Sequence, residues 1–510
     1  MAFFRGRDHT VPVNHPPGEA ILLNRCRLSS TRGNSARAVA AVALGAAAVA
    51  GVLAATAIAS TPGEPVSLVA PAVPAPAEAA PAPVAVPVAS PIRDRTDSAA
   101  DLRIGGEKMH TALLRQFYAA HDFQSVWEGR KLQAEALLRA VARAGDHGLD
   151  PELFHAGLLR KLPTLSPIDR DLLLSDAFLA YADALARGAV PIEARYDDED
   201  LTPEPIDIAA ALTRALDSPD PAALIEGLAP RSSAYLALRR ALQSYRSDGA
   251  EAARAGGAAG PARAEVQRRA IIVNLERLRW LPRQLPADRI WVNLPTARLE
   301  LYRDNRPVFT TRVVVGETDK QTPELKTAIT SVLFNPSWYV PRSIATKEIL
   351  PKLARDPNYL TRHHMVVRPN GGIQQLPGAG TALGRLKFEA SNRFDVYLHD
   401  TPLKSLFKRD DRFESHGCVR VENPRELGAL LLGEPVEAID RGIAQGSTSR
   451  RMLPKPIPTF LVYQTAFPDS GGGIAFAPDI YDRDEAIWRH LQRAQQVPVA
   501  QRDPAAERRG

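Results

Sequence analysis

The chain has 510 residues, a formal net charge of +6 and two cysteines. That length accommodates roughly two to four domains and a sizeable core. So small a charge, with no basic stripe interleaved with aromatics, excludes a dedicated nucleic-acid binder, and the slight basic excess suits an anionic cell-wall surface.

In chain order, residues 1–37 are polar and basic, with Arg25, Arg27, Arg32 and Arg37 leading into an apolar run at 38–60. Ala38 to Ala59 carries no charge, is long enough to span a bilayer, and follows arginines that favour a cytoplasmic N-terminus. A cleavable signal peptide competes, because Ala57-Ile58-Ala59 fits a small-residue cleavage site. The long leader and long apolar run favour an uncleaved signal anchor, and either outcome exports the bulk of the chain. Residues 61–100, dominated at first by Pro, Ala and Val, read as a semi-rigid linker.

From 101 to 248 the periodicity is helical. Leu113, Leu114, Phe117 and Tyr118 are expected to share one face, and Leu174, Phe178, Tyr181 and Leu185 another that ends at Gly188. Further helices are expected at Ile206–Leu216 and Tyr235–Tyr245. Residues 249–263 (GAEAARAGGAAGPA and its end) read as a flexible linker, followed by a helix over Glu265–Trp280.

The period changes to two from Arg289, with strands in RIWVNLPTARLELYRDNRPVFTTRVVVG, a turn at Asp304-Asn305, and a strand TAITSVLFN ending at Pro336. A mostly-β unit is therefore expected over 264–445, interrupted at about 341–385 by an insertion with helical pattern (RSIATKEILPKLAR). Residues 446–497 read as a polar loop, a terminal hairpin added to the sheet (TFLVYQTAF and IAFAPDIY) and a helix at Asp482–Gln496, and 498–510 as a disordered tail.

The chemistry concentrates between Val396 and Pro424. VYLH should end a strand at His399, and the segment after Cys418 reads as a short strand, Val419 to Val421, before a helix opened by Asn423-Pro424. Cys26 precedes the apolar run, so Cys418 is the only exported thiol and has no intramolecular disulfide partner. A neighbouring imidazole can activate a thiol, and a glycine such as Gly417 lets backbone amides approach an oxyanion. A lone cysteine or histidine is more often structural, but Ser415-His416-Gly417-Cys418 with His399 upstream is a combination that packing does not require.

At these residues the chain resembles the L,D-transpeptidases of bacterial cell walls, whose YkuD-type signature is matched by YLHD at 397–400 and SHGCVR at 415–420. The FY…VW and HGLDP patterns and the RAIIVNLERLRWLP segment are similar to the large, YcbB-like subfamily. The resemblance implies an α+β multidomain protein: an N-terminal membrane anchor, an α-helical scaffold domain, and a mostly-β catalytic domain with a helical capping insertion. It implies Cys418 as nucleophile and His399 as general base and acid, with the Asp400 backbone carbonyl orienting the ring. Ser415, His416 and Gly417 would support the loop and oxyanion site, Arg420 would hold the loop or meet a substrate carboxylate, Tyr397 would meet substrate, and Trp338 and Tyr339 would line the donor site. It further implies peptidoglycan stem peptides as substrates, carbapenem β-lactams as inhibitors, no cofactor and no metal, and a place in the cell envelope with the bulk in the periplasm. The small peptidoglycan-binding module common in that subfamily has no room here. Two other readings remain: a zinc hydrolase using His399, His416 and Cys418, or a tethered wall-binding protein whose site has decayed.

Overall fold

A computed structural model describes residues 90–97, 101–201, 203, 205–247 and 259–492. The expected anchor at 38–60 and the tail at 498–510 lie outside these residues, and no helix among those described is long and apolar enough to cross a membrane. The segment read as linker up to residue 100 contains a short helix, Pro91–Asp97, which is held because Ile92 is buried in the helical core.

That core is built by α1 (Thr111–Ala119), α2 (Lys131–Ala142), α3 (Pro167–Arg187), α4 (Ile208–Asp217), α5 (Ser233–Ser247) and α6 (Ala259–Arg279). Ser166 caps α3 by accepting from the Asp169 amide at 3.1 Å, and Gly188 follows its last turn. The buried stripe of α1 is Thr111, Leu114, Phe117 and Tyr118. Leu113, expected on that face, is 42% exposed, because one step along a helix rotates it about 100° off the stripe. The FY…VW pattern is core: Tyr118 donates to Asp171 Oδ1 at 2.6 Å and Trp127 Nε1 to Ser175 Oγ at 2.9 Å.

Helix α6 begins at Ala259, inside the expected linker, and from Ile271 onward is buried all round. Ile271, Val273, Leu275 and Trp280 pack in the core, and so do Arg277 and Arg279. Burial of these arginines is offset by partners: Arg277 meets Asp484 at 2.5 Å, and Arg279 meets Glu276 at 2.8 Å and the Tyr235 hydroxyl at 3.0 Å.

The second unit is a sheet whose eight long-range neighbours close on themselves. Its strands are β1 (Arg289–Asn293), β2 (Arg298–Arg303), β3 (Arg306–Gly316), β4 (Glu324–Phe334), β5 (Leu386–Ala390), β6 (Leu398–His399), β7 (Val419–Val421) and β8 (Ser449–Val462). The order is β5-β6-β7-β3-β2-β1-β8-β4, and β4 pairs back to β5. The turn between β2 and β3 places Asp304 and Asn305 at φ +48 and +61, the left-handed pair that a two-residue hairpin of matching twist needs. Ile290, Val292, Leu299, Leu301, Val313 and Leu398 fill the interior.

Two expectations change here. The mostly-β unit does not end at 445: β8 lies between β1, in parallel, and β4, antiparallel. Its run is apolar on both faces because Leu461 faces the barrel core while Phe460 and Val462 enter the helical core, with Phe460 5.8 Å from the Trp291 ring. The terminal hairpin is then a separate two-stranded piece, Ala466–Pro468 with Ile474–Phe476, and the last helix is α9, Asp484–Leu491, following α7 (Pro424–Leu432) and α8 (Val436–Ala444). The insertion starts earlier than 341, because Trp338–Tyr339 pairs with Ile373–Gln375, and that strand with Met365–Val367, over a small core of Val340, Ile349, Met365 and Ile373.

Arg483, fully buried just before α9, joins the two units. Its guanidinium bonds Gln321 Oε1 at 2.7 Å and Glu324 Oε1 at 3.2 Å, pairs with Asp198, and lies over the Tyr196, Tyr463 and Tyr481 rings. Glu324 is itself buried, and burial pushes its carboxyl up against the opposing pull of Arg277 and Arg483. Replacing Arg483 by Met should lower stability by ~3–5 kcal/mol, since it strands a buried carboxylate, and Glu324→Met added to it should restore part of the loss. Urea unfolding of the single and double variants checks this; a single variant as stable as the parent refutes the coupling.

Candidate active site

Strands β6 and β7 are short but pair in parallel, Leu398 beside Val419 and His399 beside Arg420. The Val419 amide donates to the Tyr397 carbonyl at 3.1 Å. Alternation sends Leu398 and Val419 into the barrel core, so Tyr397, His399, Cys418 and Arg420 share the opposite face. His399 and Cys418 are diagonal neighbours on that face, a spacing that two side chains reaching toward each other can bridge. Strand β5 places Lys387 beside His399, and the row continues through Leu333 of β4 to Arg450 of β8. A row of cations therefore crosses the sheet with one imidazole in it.

The His399 ring is fixed. Its Nδ1 lies 2.5 Å from the Asp400 backbone oxygen, an acceptor only, so Nδ1 carries the proton and Nε2 is left as acceptor. The Asp400 carboxylate is occupied elsewhere, by the Arg385 amide at 2.8 Å and Lys404 Nζ at 2.7 Å. Burial, then the neighbouring Arg420 charge, push His399 down to about 3, outweighing the hydrogen bond to Asp400. Cys418 is partly exposed and unpaired. Burial of the thiol pushes it above its ordinary value, opposed by hydrogen bonds from Tyr397 and the charges of Lys387 and Arg420. At neutral pH Cys418 is thus a thiol and His399 a neutral imidazole, with no thiolate stored at rest, and the contacts of the sulfur itself are with Tyr397 and, at 3.9 Å, the Asp395 carbonyl.

Cys418 opens onto a cleft of about 1050 Å³ between the sheet face and the insertion. Of the residues the sequence singled out, Trp338, Tyr397 and His416 line it, while His399 and Arg420 do not. Arg420, expected to hold the loop or meet a substrate carboxylate, sits beside His399 in the field of Cys418, Glu414 and Glu317. Gly417 has φ +109, which favours glycine, and its amide donates to Ser415 Oγ at 3.1 Å. That amide is committed to holding the loop, and the hydrogen bonds to the sulfur come from Tyr397. Behind the loop, Thr322 Oγ1 donates to the Gly417 carbonyl at 2.8 Å, and the Tyr481 hydroxyl donates to the Gly316 carbonyl at 2.7 Å.

Sequence reasoning missed Lys387, Arg450, Glu348 and Met452, all of which line the cleft, while Tyr339, read with Trp338 as lining the donor site, lines it too. Glu348 belongs to the insertion and meets His416 Nε2 at 2.5 Å, so it ties the cap to the nucleophile loop. Partial burial alone would raise its carboxyl, but the His416 bond and nearby Lys320 and Lys352 hold it below the usual range. Lys387 Nζ lies 3.9 Å from the centre of the Tyr397 ring, a cation–π contact. None of these carries a local motif; only the register of β5 against β6 could have announced Lys387.

Two family models match the chain: a Scaffold domain over residues 112–242 and an L,D-transpeptidase catalytic domain over residues 287–437. The chain carries an L,D-transpeptidase catalytic domain. A Haemophilus influenzae protein named as a candidate L,D-transpeptidase is 33% identical over 240 residues, 42% of this chain and 48% of that one. The chain therefore spans about half the length of the curated relative it matches. Solved structures similar to parts of it include the Ldtfm–avibactam carbamoyl enzyme (11% identity, TM-score 0.19, 40% of this chain and 63% of that one). An L,D-transpeptidase from Mycobacterium smegmatis (12%, TM-score 0.19, 34% and 58%) is another. So is a cysteine-to-serine mutant of an Enterococcus faecium L,D-transpeptidase (11%, TM-score 0.17, 40% and 64%).

Strand β8, which carries Arg450, lies beyond the matched span of the L,D-transpeptidase domain and yet completes its sheet. Among the described residues, His399, His416 and Cys418 do not form a group whose ligand atoms could share one ion, which weighs against the zinc-hydrolase reading. A His399 held near 3, against about 6.5 when unfolded, stabilises the fold fully above pH 6.5, because only the unfolded state takes up the proton below that. That contribution falls by up to ~1.4 kcal/mol per unit as pH drops from about 6.5 toward 3. Histidine-labelled NMR should show the His399 ring neutral, protonated at Nδ1, from pH 8 down to 5; a titration midpoint between 6 and 7 would contradict it.

Proposed function

We propose that the chain is a peptidoglycan L,D-transpeptidase that uses Cys418 and His399 to transfer an acyl group from tetrapeptide stems. The observation that carries this is the parallel β6–β7 pairing, which puts His399 and Cys418 on one sheet face, with the sulfur opening into a cleft. His399 takes the thiol proton as Sγ attacks the amide carbonyl at the L-centre of the diamino acid. The oxyanion forms against the Cys418 amide, where each such donor is worth roughly 3 kcal/mol. The C–N bond then breaks, His399 returns the proton to the departing amine, and D-alanine leaves a thioester on Cys418. An amine from a neighbouring stem attacks the thioester, giving a third-to-third crosslink and regenerating the thiol; water in its place gives carboxypeptidase activity.

Charge supports this substrate class. Lys387 lines a cleft entered by a peptide whose side-chain and terminal carboxylates are anionic, and Arg450, which lines it too, is paired with Glu389 at 2.6 Å. The cap, closed by Glu348 on His416, would cover the bound stem and exclude water from the thioester. A chain anchored by residues 38–60, or released by cleavage there, would act in the periplasm, and carbapenem lactams would acylate the same sulfur.

Incubation with disaccharide tetrapeptides, followed by mass spectrometry, tests the proposal. Wild type should release D-alanine and form dimers, and Cys418→Ala should do neither and take no carbapenem adduct. Release at the parental rate by Cys418→Ala would remove the nucleophile. Glu348→Ala should raise KM for the tetrapeptide by ~2–5-fold, the scale of a partly exposed ion pair, with kcat within twofold; an unchanged KM would mean the cap contact plays no part in binding.

A further inference from the structure

The acyl-transfer chemistry leaves unused a cluster in the helical domain. His110 precedes α1 and is exposed, with 51% of its side chain accessible, while the Asp176 carboxylate, in the middle of α3, is fully buried. His110 Nδ1 lies 3.0 Å from Asp176 Oδ2, and His155 Nε2 lies 2.9 Å from that same oxygen. The three atoms all fall within 4.8 Å of one another. The other Asp176 oxygen accepts from the His110 amide at 2.7 Å, which fixes the carboxylate's orientation.

The outer partner of His155 is what sets this apart from an ordinary hydrogen-bonded trio. Its Nδ1 lies 2.5 Å from Glu107 Oε2, so the buried ring has one nitrogen on a carboxylate and the other on the shared centre. Metal-binding imidazoles are held in this way, one nitrogen on the ion and the other donating to a carboxylate. His155 also adopts φ +62, a left-handed conformation unusual for a non-glycine residue, and strain of that sort gathers where a side chain must be aimed. No hydrophobic pattern in the sequence asks for it. The ligand atoms come from three separate segments: the residue before α1, the bend between Pro151–Phe154 and Ala156–Leu159, and α3.

We propose that His110, His155 and Asp176 form a site for a divalent first-row transition ion, zinc being the foremost, with Glu107 orienting His155. Two imidazoles and a carboxylate suit that borderline class. Bonds of about 2.0–2.2 Å in a tetrahedral site put ligand atoms roughly 3.4 Å apart, so the two contacts to Asp176 would open by about half an ångström. The accessible His110 gives the ion its way in, and a water would complete four-coordination on that side. The ion would pin the start of α1 and the 151–159 bend onto α3, a structural role remote from Cys418.

The test uses the full chain, stripped with chelator and titrated with zinc or cobalt(II). One equivalent of zinc should bind and raise the melting temperature, and cobalt should show the visible bands of a four-coordinate nitrogen and oxygen site without thiolate charge transfer. His110→Ala, a change at an exposed ring that should leave the fold intact by circular dichroism, should abolish both effects. Glu107→Gln should weaken zinc binding by ~10–100-fold. Lack of stoichiometric uptake, uptake unchanged in His110→Ala, or a thiolate band that reports binding at Cys418 would each overturn the site.

Discussion

The site depends on one constraint: two very short strands must lie parallel and in a single register. A slip of one residue between β6 and β7 would turn either His399 or Cys418 into the barrel core and leave Leu398 or Val419 in the cleft. Nothing in so short a pairing could hold that register alone. It is held from both sides, by β5 against β6 and by β3 against β7, and by Leu398 and Val419 locked among Val313, Phe388 and Leu427. Core packing thereby becomes the device that aims the reactive groups.

The electrostatics follow from the same geometry. The register that brings His399 toward Cys418 also puts Arg420 on one side of the ring and Lys387 on the other, so the imidazole is kept neutral by its neighbours and by burial. A protonated thiol guards a free cysteine from casual oxidation, since the thiolate is the reactive form. In the proposed reaction, activation would wait for a bound acyl donor, whose carboxylates would also screen the flanking cations.

Much of this was legible from the residues. His399 at a strand end, Val419–Val421 as a strand, Asn423-Pro424 opening a helix and the Asp304-Asn305 turn all have local causes, and the chain places them there. What escaped was decided by partners distant in sequence. Arg420 read as either a loop support or a substrate ligand, because its position beside His399 depends on strand order. Gly417 read as an oxyanion device, yet its amide is held by Ser415. The run at 459–462 read as one half of a hairpin, because a strand buried on both faces looks locally like any apolar strand. Nothing local marks Arg277, Arg279 and Arg483 as buried, because the acids that neutralise Arg277 and Arg483 lie elsewhere in the chain and the Glu276 that meets Arg279 looks like any acid one helical turn away.

The position of β8 has a consequence for timing. A ribosome makes β1 through β7 before β8 exists, and until then β1 and β4 each present a bare edge to solvent. Asn293 must wait for Gln464, 171 positions on, before its side chain finds the carbonyl it bonds. Contacts of such separation form slowly. The chain can therefore travel through synthesis as an unfinished cylinder, and its sulfur acquires a supporting wall only after the last strand slots home. Reactivity would begin wherever folding ends.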